Sequence, residues 1–238
     1  MNTSTDALFT SERQLAPEHF PIHLDPKLYD SKKLAEIAIF KGAYQKLSEL
    51  ANLIDLVKNQ KLMVVVEVGT CKGGCFWLWC QLAQPDALIV SIDLPGGDFG
   101  GGFSEETMEV YRTYGREQQS LHFLRKDSHL PETRLELEAL LKGRPIDFLA
   151  IDADHRYEGV KSDFLLYSSL VREGGLIAFH DILLHPQVSA CEVEKLWKQI
   201  SPHYQNVTFT EPNDDRGWGQ WGGIGVLTYS HSVEPLLT

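Results

Sequence analysis

The stretch that decides the fold is residues 62–74, which read LMVVVEVGTCKGG. Apart from Glu67, its first seven residues are apolar and rich in β-branched side chains, as is typical of a parallel strand that is buried on both faces. Gly69, Gly73 and Gly74 follow directly, and glycine allows a tight turn between a strand and a helix. The stretch therefore predicts a buried strand that passes through a glycine-rich turn into a helix.

The same pattern recurs along the chain, where short apolar runs alternate with longer segments of helical periodicity. This alternation is typical of βαβ units and a parallel sheet. Residues 206–210 and 222–229 are separated by a loop too short for a crossover helix, so we expect these two strands to pair antiparallel at an edge of the sheet. The other predicted strands are 62–68, 87–93, 121–124, 146–152 and 175–181, and the predicted helices are 74–84, 104–118, 132–142, 156–171 and 189–200.

The fold class that follows is α/β, with a doubly wound, mostly parallel seven-stranded sheet and an antiparallel edge strand. A small helical segment is predicted before the sheet, because apolar residues recur at helical spacing over 31–58 with a break near Gly42. We therefore divide the chain into an N-terminal arm and helical cap, 1–58, and a sheet domain, 59–238.

Composition narrows the partners that the protein is expected to have. The 238 residues include 33 acidic and 22 basic side chains, for a formal net charge of -11, and such a chain repels nucleic acid on average. There is no apolar run long enough to span a bilayer and no secretory signal pattern. The four cysteines lack the spacing of a structural zinc site, which fits free thiols in a reducing compartment. We expect a cytoplasmic protein that acts on a small molecule, without a nucleic-acid or membrane partner, and that forms a homo-oligomer.

Polar residues follow the first three predicted strands. In an open parallel sheet, ligands bind beyond the carboxyl ends of the strands. The spacing ExGxxxG at Glu67–Gly73 fits either a ligand-binding turn or a plain tight turn. Asp93 closes the second strand, where an acid can accept hydrogen bonds from the ribose hydroxyls of an adenosine-containing ligand. Asp127 and Ser128 follow the third strand and are suited either to an adenine edge, or to capping a helix or forming a turn.

A second polar group follows the two strands after these. Asp152 and His155 end one strand, and His180 and Asp181 end the next. Two carboxylates that approach closely repel each other unless one is protonated or a cation lies between them. Oxygen ligands favour Mg²⁺ or a similar ion, and a nearby histidine can then take a proton from a substrate hydroxyl. His155 is the candidate base, whereas His180 fits a ligand, a second base or a core histidine.

These motifs together resemble class I S-adenosylmethionine-dependent methyltransferases. The resemblance rests on ExGxxxG after the first strand, the acid that ends the second strand, and the segments IDADHRYEGVKSDF and LVREGGLIAFHD. It covers residues 62–181. More narrowly, residues 147–181 resemble the bacterial metal-dependent O-methyltransferases of the macrocin and mycinamicin type and the cephalosporin-hydroxylase-like group.

The resemblance implies S-adenosylmethionine as cofactor and a divalent metal, with Mg²⁺ expected and Mn²⁺ or another ion as alternatives. Where this chain has His180, the family often has an acid, and a histidine ligand shifts the preference toward softer ions. The implied cofactor-binding residues are Glu67, Gly69, Thr70, Gly73, Asp93, Asp127, Ser128 and Asp152; the implied metal ligands are Asp152, His180 and Asp181; and the implied general base is His155.

The expected function is methyl transfer to a hydroxyl group of a sugar or another small natural product. Residues 95–104, which are rich in glycine, are predicted to form either a loop over the cofactor or a plain surface loop. Three other functions stay open at this point. An NAD-dependent oxidoreductase would carry GxGxxG, which is absent; a metallohydrolase would carry further histidines; and a non-catalytic subunit that binds an adenosyl ligand would need no base.

Overall fold

The computed structural model describes residues 22–116, 118–212 and 220–233, and the part of the predicted arm that comprises residues 1–21 lies outside them. A seven-stranded sheet forms the centre of the molecule, with strand order β3-β2-β1-β4-β5-β7-β6. The strands are β1 (Val64–Val68), β2 (Leu88–Ile92), β3 (Ser120–Leu124), β4 (Ile146–Ile151), β5 (Val171–His180), β6 (Gln205–Phe209) and β7 (Ile224–Thr228).

The pairing of the strands confirms the predicted fold class. Strands β1 to β5 are parallel neighbours, whereas β7 pairs antiparallel with both β5 and β6. The antiparallel strand therefore lies one position inside the sheet, and β6 forms the edge. Because β1, β2, β4 and β5 are parallel, their carboxyl ends meet at one edge of the sheet, and this places the predicted site residues near one another.

Helices cover both faces of the sheet. They are α1 (Ser31–Phe40), α2 (Leu47–Val57), α3 (Gly74–Leu82), α4 (Glu105–Arg112), α5 (Pro131–Leu141), α6 (Tyr157–Tyr167) and α7 (Val193–Ile200). One apolar cluster joins α1, α2 and α3 to one face, and a second joins α5, α6 and α7 to the other. The predicted helix 156–171 was too long, because α6 gives way to a 3-10 turn at Ser168–Leu170 and β5 already begins at Val171, which pairs with Ile146.

The two N-terminal helices pack directly on the sheet. Leu34 of α1 and Leu50 of α2 are fully buried in the same apolar cluster as Phe76 of α3. A Cβ atom added to Gly74 would lie 2.1 Å from the backbone nitrogen of Ala43, so the connection between α1 and α2 lies against the first turn of α3. The division of the chain at residue 58 stays a prediction, but α1 and α2 share one continuous core with the sheet.

Among the helices of the described residues, none is long and apolar enough to cross a membrane.

Candidate active site

The glycine-rich turn after β1 brings the strand end close to the neighbouring strand. Gly69 has a φ of +93°, which side chains other than glycine rarely adopt. A Cβ atom at this position would lie 2.1 Å from the backbone oxygen of Asp152. Gly73 also has positive φ and begins α3 as its N-cap residue. The turn therefore needs glycine both for its backbone conformation and for its contact with the end of β4.

Glu67 is buried at the start of this turn, where it is 1% exposed. Its Oε1 accepts a hydrogen bond from the indole nitrogen of Trp79 at 2.7 Å. Its Oε2 is buried and has no hydrogen-bond partner within the described residues. Burial raises the pKa of Glu67 to about 8, because a carboxylate loses its hydration there. Glu67 is therefore mainly protonated at neutral pH.

Asp93, at the end of β2, organises the same turn. One of its oxygens, Oδ2, accepts hydrogen bonds from the backbone N–H groups of Thr70 and Cys71, at 2.8 and 2.6 Å. Burial raises the pKa of Asp93, although these two hydrogen bonds favour the charged form. The Thr70 hydroxyl lies 2.6 Å from that of Ser91 in β2. In this structure Asp93 therefore links the ends of β1 and β2.

A cavity of about 370 Å³ opens beside Asp93. Asp127, Ser128 and part of the glycine-rich loop also line it, so the structure brings together the three residues predicted to meet the adenosine part of a ligand. The Asp127 carboxylate accepts a hydrogen bond from the backbone N–H of His129 at 2.9 Å. Asp127 thus also stabilises a turn, which was the alternative left open by the sequence. The volume of the cavity is within the range of small-ligand sites.

Glu67 and Asp152 line a different and much smaller cavity, of about 30 Å³. Neither residue borders the larger one. The predicted cofactor residues therefore fall into two neighbouring groups: Asp93, Asp127 and Ser128 around the large cavity, and Glu67 and Asp152 around the small one. Gly69, Thr70 and Gly73 form the turn that follows Glu67.

The second predicted group converges at the ends of β4 and β5. His155 lies between two carboxylates, with its Nε2 3.2 Å from Oδ1 of Asp152 and its Nδ1 3.2 Å from Oδ2 of Asp181. The Nδ1 atom of His180 lies 3.2 Å from the same oxygen of Asp152 and 3.6 Å from Oδ2 of Asp181. Two acids and two histidines, brought from adjacent strand ends, thus form one compact cluster.

The charges in this cluster compensate one another. Burial works to raise the pKa of Asp152, but the charges and hydrogen bonds of His180 and His155 outweigh it and hold the pKa well below the ordinary value. Burial works to lower the pKa of both histidines, yet the carboxylates raise it, to about 9 for His180 and well above the usual value for His155. The carboxylates and the histidines of this cluster therefore stabilise one another's charged forms.

The geometry of the cluster fits a cation. Ligand atoms of Asp152, His180 and Asp181 all lie within 4.8 Å of one another. Asp181 is 5% exposed, and its Oδ1 is buried without a hydrogen-bond partner among the described residues. Asp181 also has a φ of +59°, and such backbone strain in a residue other than glycine is often found at functional sites. The residues present are suited to hold a divalent ion.

Three residues that the sequence analysis did not predict also reach this site. The amide of Gln45, in the α1–α2 connection, donates a hydrogen bond to Oδ2 of Asp152 at 2.8 Å. Cys191 has its sulfur within 4.8 Å of ligand atoms of His155 and Asp181. Glu49 of α2 is fully buried. Gln45 and Cys191 carry no sequence signal, whereas Glu49 lies four residues before Leu53 on the apolar side of α2, where a charged residue is unexpected.

Glu49 joins the N-terminal helices to the connection between β6 and β7. Its two carboxylate oxygens accept hydrogen bonds from the backbone N–H groups of Glu211 and Gly223, at 2.9 and 3.0 Å. Lys46 adds a hydrogen bond to the backbone oxygen of Trp221, at 2.8 Å. A Cβ atom on Gly222 would lie 3.9 Å from Oδ1 of Asp181, so these bonds hold the β7 end of the connection beside the acidic cluster.

The glycine-rich loop 95–104 lines the large cavity and contacts His155, and its placement over a cofactor stays a prediction. The ring of Phe99 stacks on that of His155, with 4.7 Å between ring centroids. Arg156 forms an ion pair with Asp98 at 2.5 Å, and its guanidinium lies over the ring of Phe99. The loop therefore borders both the large cavity and the histidine that was predicted as base.

Comparison with known protein families shows what this part of the chain is similar to. A family model described as a methyltransferase domain matches residues 66–182, a range that contains every predicted site residue. Residues 66–182 are thus similar to a methyltransferase domain. The resemblance stated from the sequence motifs is thereby confirmed.

Two curated relatives each match about half of the chain. An uncharacterized protein of Sinorhizobium fredii is 30% identical over 121 residues, which are 49% of this chain and 13% of that protein. An uncharacterized protein of Acanthamoeba polyphaga mimivirus is 31% identical over 132 residues, 56% of this chain and 57% of that one. The matches thus span less than two thirds of either relative.

Solved structures share the methyltransferase fold at low identity. The O-methyltransferase from Bacillus cereus in complex with SAH has a TM-score of 0.55 at 15% identity, covering 84% of this chain and 90% of that one. TomG from Streptomyces achromogenes, an O-methyltransferase in complex with SAM, has a TM-score of 0.54 at 15% identity, covering 85% and 91%. MycE, from the mycinamycin pathway and in complex with Mg and SAH, has a TM-score of 0.51 at 15% identity, covering 84% and 54%. At these identities the likeness shows the fold.

Proposed function

We propose that the protein transfers the methyl group of S-adenosylmethionine to a hydroxyl oxygen of a small molecule, with the help of a divalent cation. The observation that carries this proposal is a cluster at the carboxyl ends of β4 and β5, in the part of the chain that matches a methyltransferase domain. It consists of Asp152, His155, His180 and Asp181. Further support comes from the O-methyltransferases of the same fold, one of which was solved with Mg.

The cofactor would extend from the large cavity toward the acidic cluster. Asp93, Asp127 and Ser128 line that cavity and offer acceptors and a hydroxyl to the adenosine part. Glu67 lines the small cavity together with Asp152. Because burial raises the pKa of Glu67, its protonated carboxyl group adds no charge to the acidic cluster. The bound sulfonium supplies an activated methyl group, so the chain has to align the acceptor oxygen and remove its proton.

Asp152, His180 and Asp181 would hold the cation, with His180 binding as the neutral imidazole after it gives up its proton. Two carboxylates and one imidazole suit Mg²⁺, and the nitrogen ligand makes Mn²⁺ or another transition ion a second candidate. The free Oδ1 of Asp181 is available to it without loss of a hydrogen bond. A cation held by these residues would lower the pKa of the acceptor hydroxyl and orient it.

His155 is the proposed general base. Both ring nitrogens of His155 face carboxylates, and these carboxylates raise the pKa of His155. If Asp152 and Asp181 held a cation, their interactions with His155 would weaken, His155 would release its own proton to solvent, and the neutral ring nitrogen would accept the hydroxyl proton. The stacked ring of Phe99 limits the access of water to this histidine.

The acceptor is proposed to be a sugar or another small natural product. The net charge of -11 disfavours a nucleic acid. The acceptor would enter beside α2 and the β6–β7 connection, where Lys46 holds Trp221 through its backbone oxygen and lies 4.5 Å from the centre of its ring. Cytoplasmic location and homo-oligomer formation stay predictions from the sequence.

A methyl-transfer assay tests the proposal. The protein is incubated with methyl-labelled S-adenosylmethionine and a panel of hydroxylated small molecules, with and without a chelator. We expect labelled methyl ethers whose formation is lost on chelation and restored by Mg²⁺ or Mn²⁺. Asp181→Asn should reduce the rate to a small fraction of that of the unaltered protein. Methyl transfer that is insensitive to chelation would refute the role of the metal, and label on nitrogen or carbon would refute O-methylation.

A further inference from the structure

Gln45 connects the N-terminal helices to the proposed metal site. Its Nε2 donates a hydrogen bond to Oδ2 of Asp152 at 2.8 Å, across 107 residues of sequence. Its Oε1 lies 3.0 Å from the sulfur of Cys75, which donates to it. Both ends of the amide are therefore engaged, and the direction in which the NH₂ group points is set by the thiol on the other side.

The backbone around Gln45 lies tightly against α3. A Cβ atom on Gly42 would lie 2.6 Å from the Cβ of Lys72, and one on Gly74 would lie 2.1 Å from the backbone nitrogen of Ala43. The N–H of Ala43 also donates to the backbone oxygen of Ala38 at 2.9 Å, which fixes the end of α1. Gln45 is thus presented to Asp152 by a closely packed connection.

The hydrogen bond from Gln45 determines how the Asp152 carboxylate is oriented. Oδ2 is engaged by Gln45, whereas Oδ1 faces His155 and His180 at 3.2 Å each. Without Gln45, Oδ2 would lose this donor, and only the two histidines on Oδ1 would hold the carboxylate. Partners of this kind orient metal ligands, and their replacement typically costs 10–100-fold in metal affinity or activity.

We propose that Gln45 is a positioning residue that holds Asp152 in the orientation needed to bind the divalent cation. The inference rests on the metal site of the proposed function. It adds to that site a residue outside the range 66–182, which the methyltransferase family model matches. It also assigns a role to Cys75, whose thiol sets the orientation of the Gln45 amide. Burial raises the pKa of this thiol well above the usual range, so it stays a hydrogen-bond donor.

The test measures metal binding directly, by calorimetric titration of Mg²⁺ alone and of Mn²⁺ alone into the full chain. Gln45→Met keeps the length of the side chain and removes the donor. We expect its affinity for the ion to fall by about 10- to 100-fold, with a thermal midpoint close to that of the unaltered protein. Gln60→Met, at an exposed position beyond α2, is the matched control and should bind the ion as the unaltered protein does.

Cys75 supplies a second, independent pair of variants. Cys75→Ala removes the donor to Gln45 and should weaken metal binding, whereas Cys75→Ser keeps an O–H donor and should restore most of it. These variants leave the test decisive even if Gln45→Met does not fold. A purely structural role for Gln45 would lower the thermal midpoint without this rescue.

The outcomes separate this inference from the proposed function. Equal metal affinity in the unaltered protein, Gln45→Met and Cys75→Ala would overturn the role of Gln45 and leave the metal site intact. Absence of metal binding by the unaltered protein would overturn the metal site, and the role of Gln45 with it.

Discussion

Replacement of Glu67 by glutamine tests whether a neutral carboxyl group lies beneath the active site. Burial raises the pKa of Glu67 from an ordinary value of 4.5 to about 8. The folded protein therefore keeps a proton that the unfolded chain releases above pH 4.5, and the free energy of unfolding falls as the pH rises between these two values. For one such group the loss between pH 5 and pH 8 is about 3 to 4 kcal/mol.

Glutamine has no proton to lose, and its carbonyl oxygen can still accept the hydrogen bond from Trp79. We expect the Glu67→Gln variant to lack this part of the pH dependence, so that its stability relative to the unaltered protein increases by about 3 to 4 kcal/mol from pH 5 to pH 8. Urea unfolding followed by tryptophan fluorescence at several pH values measures the difference. Glu106→Gln, on the exposed side of α4, is the control. Parallel curves for Glu67→Gln and the unaltered protein would refute the reasoning.

Three further predictions concern the surroundings of the site. Gly74→Ala places a methyl group 2.1 Å from the Ala43 nitrogen and should cost about 1–3 kcal/mol in thermal unfolding; an unchanged midpoint would contradict the close packing there. Phe99→Ala removes the ring stacked on His155 and should weaken binding of S-adenosylmethionine several-fold in calorimetry, whereas equal affinity would exclude a covering role for the loop. Glu49→Ala leaves two backbone N–H groups without their acceptor, costs about 1–3 kcal/mol, and should speed proteolysis of the β6–β7 connection; an unchanged digestion rate would argue against that tether.

The sheet and its site edge could be predicted from the sequence because both depend on local patterns. Apolar runs with β-branched residues marked the buried strands, and the polar residue that ends each run marked the ligand edge. Asp152 and Asp181 are 29 positions apart, yet their approach follows directly from the parallel pairing of β4 and β5. The position of β7 inside the sheet was less predictable, since a short apolar strand carries no information about which neighbour it selects.

The contacts from the N-terminal helices were not predictable in the same way. Periodicity showed that α1 and α2 have apolar sides, but it does not show which surface those sides cover. Gln45 reaches Asp152 only because the α1–α2 connection packs on the start of α3. Cys191 likewise reaches His155 through the loop before α7. Such contacts depend on tertiary packing across long sequence separations and leave no local pattern.

The central claim is that this methyltransferase domain binds S-adenosylmethionine beside a divalent-metal site. Calorimetry tests it most directly, by titration of S-adenosylmethionine, its demethylated product and NAD into the protein, each with and without Mg²⁺. We expect S-adenosylmethionine and its demethylated product to bind and NAD not to bind. We also expect Mg²⁺ itself to bind to the unaltered protein but not to the Asp152→Ala variant. No binding of either nucleoside up to high micromolar concentrations would contradict the claim.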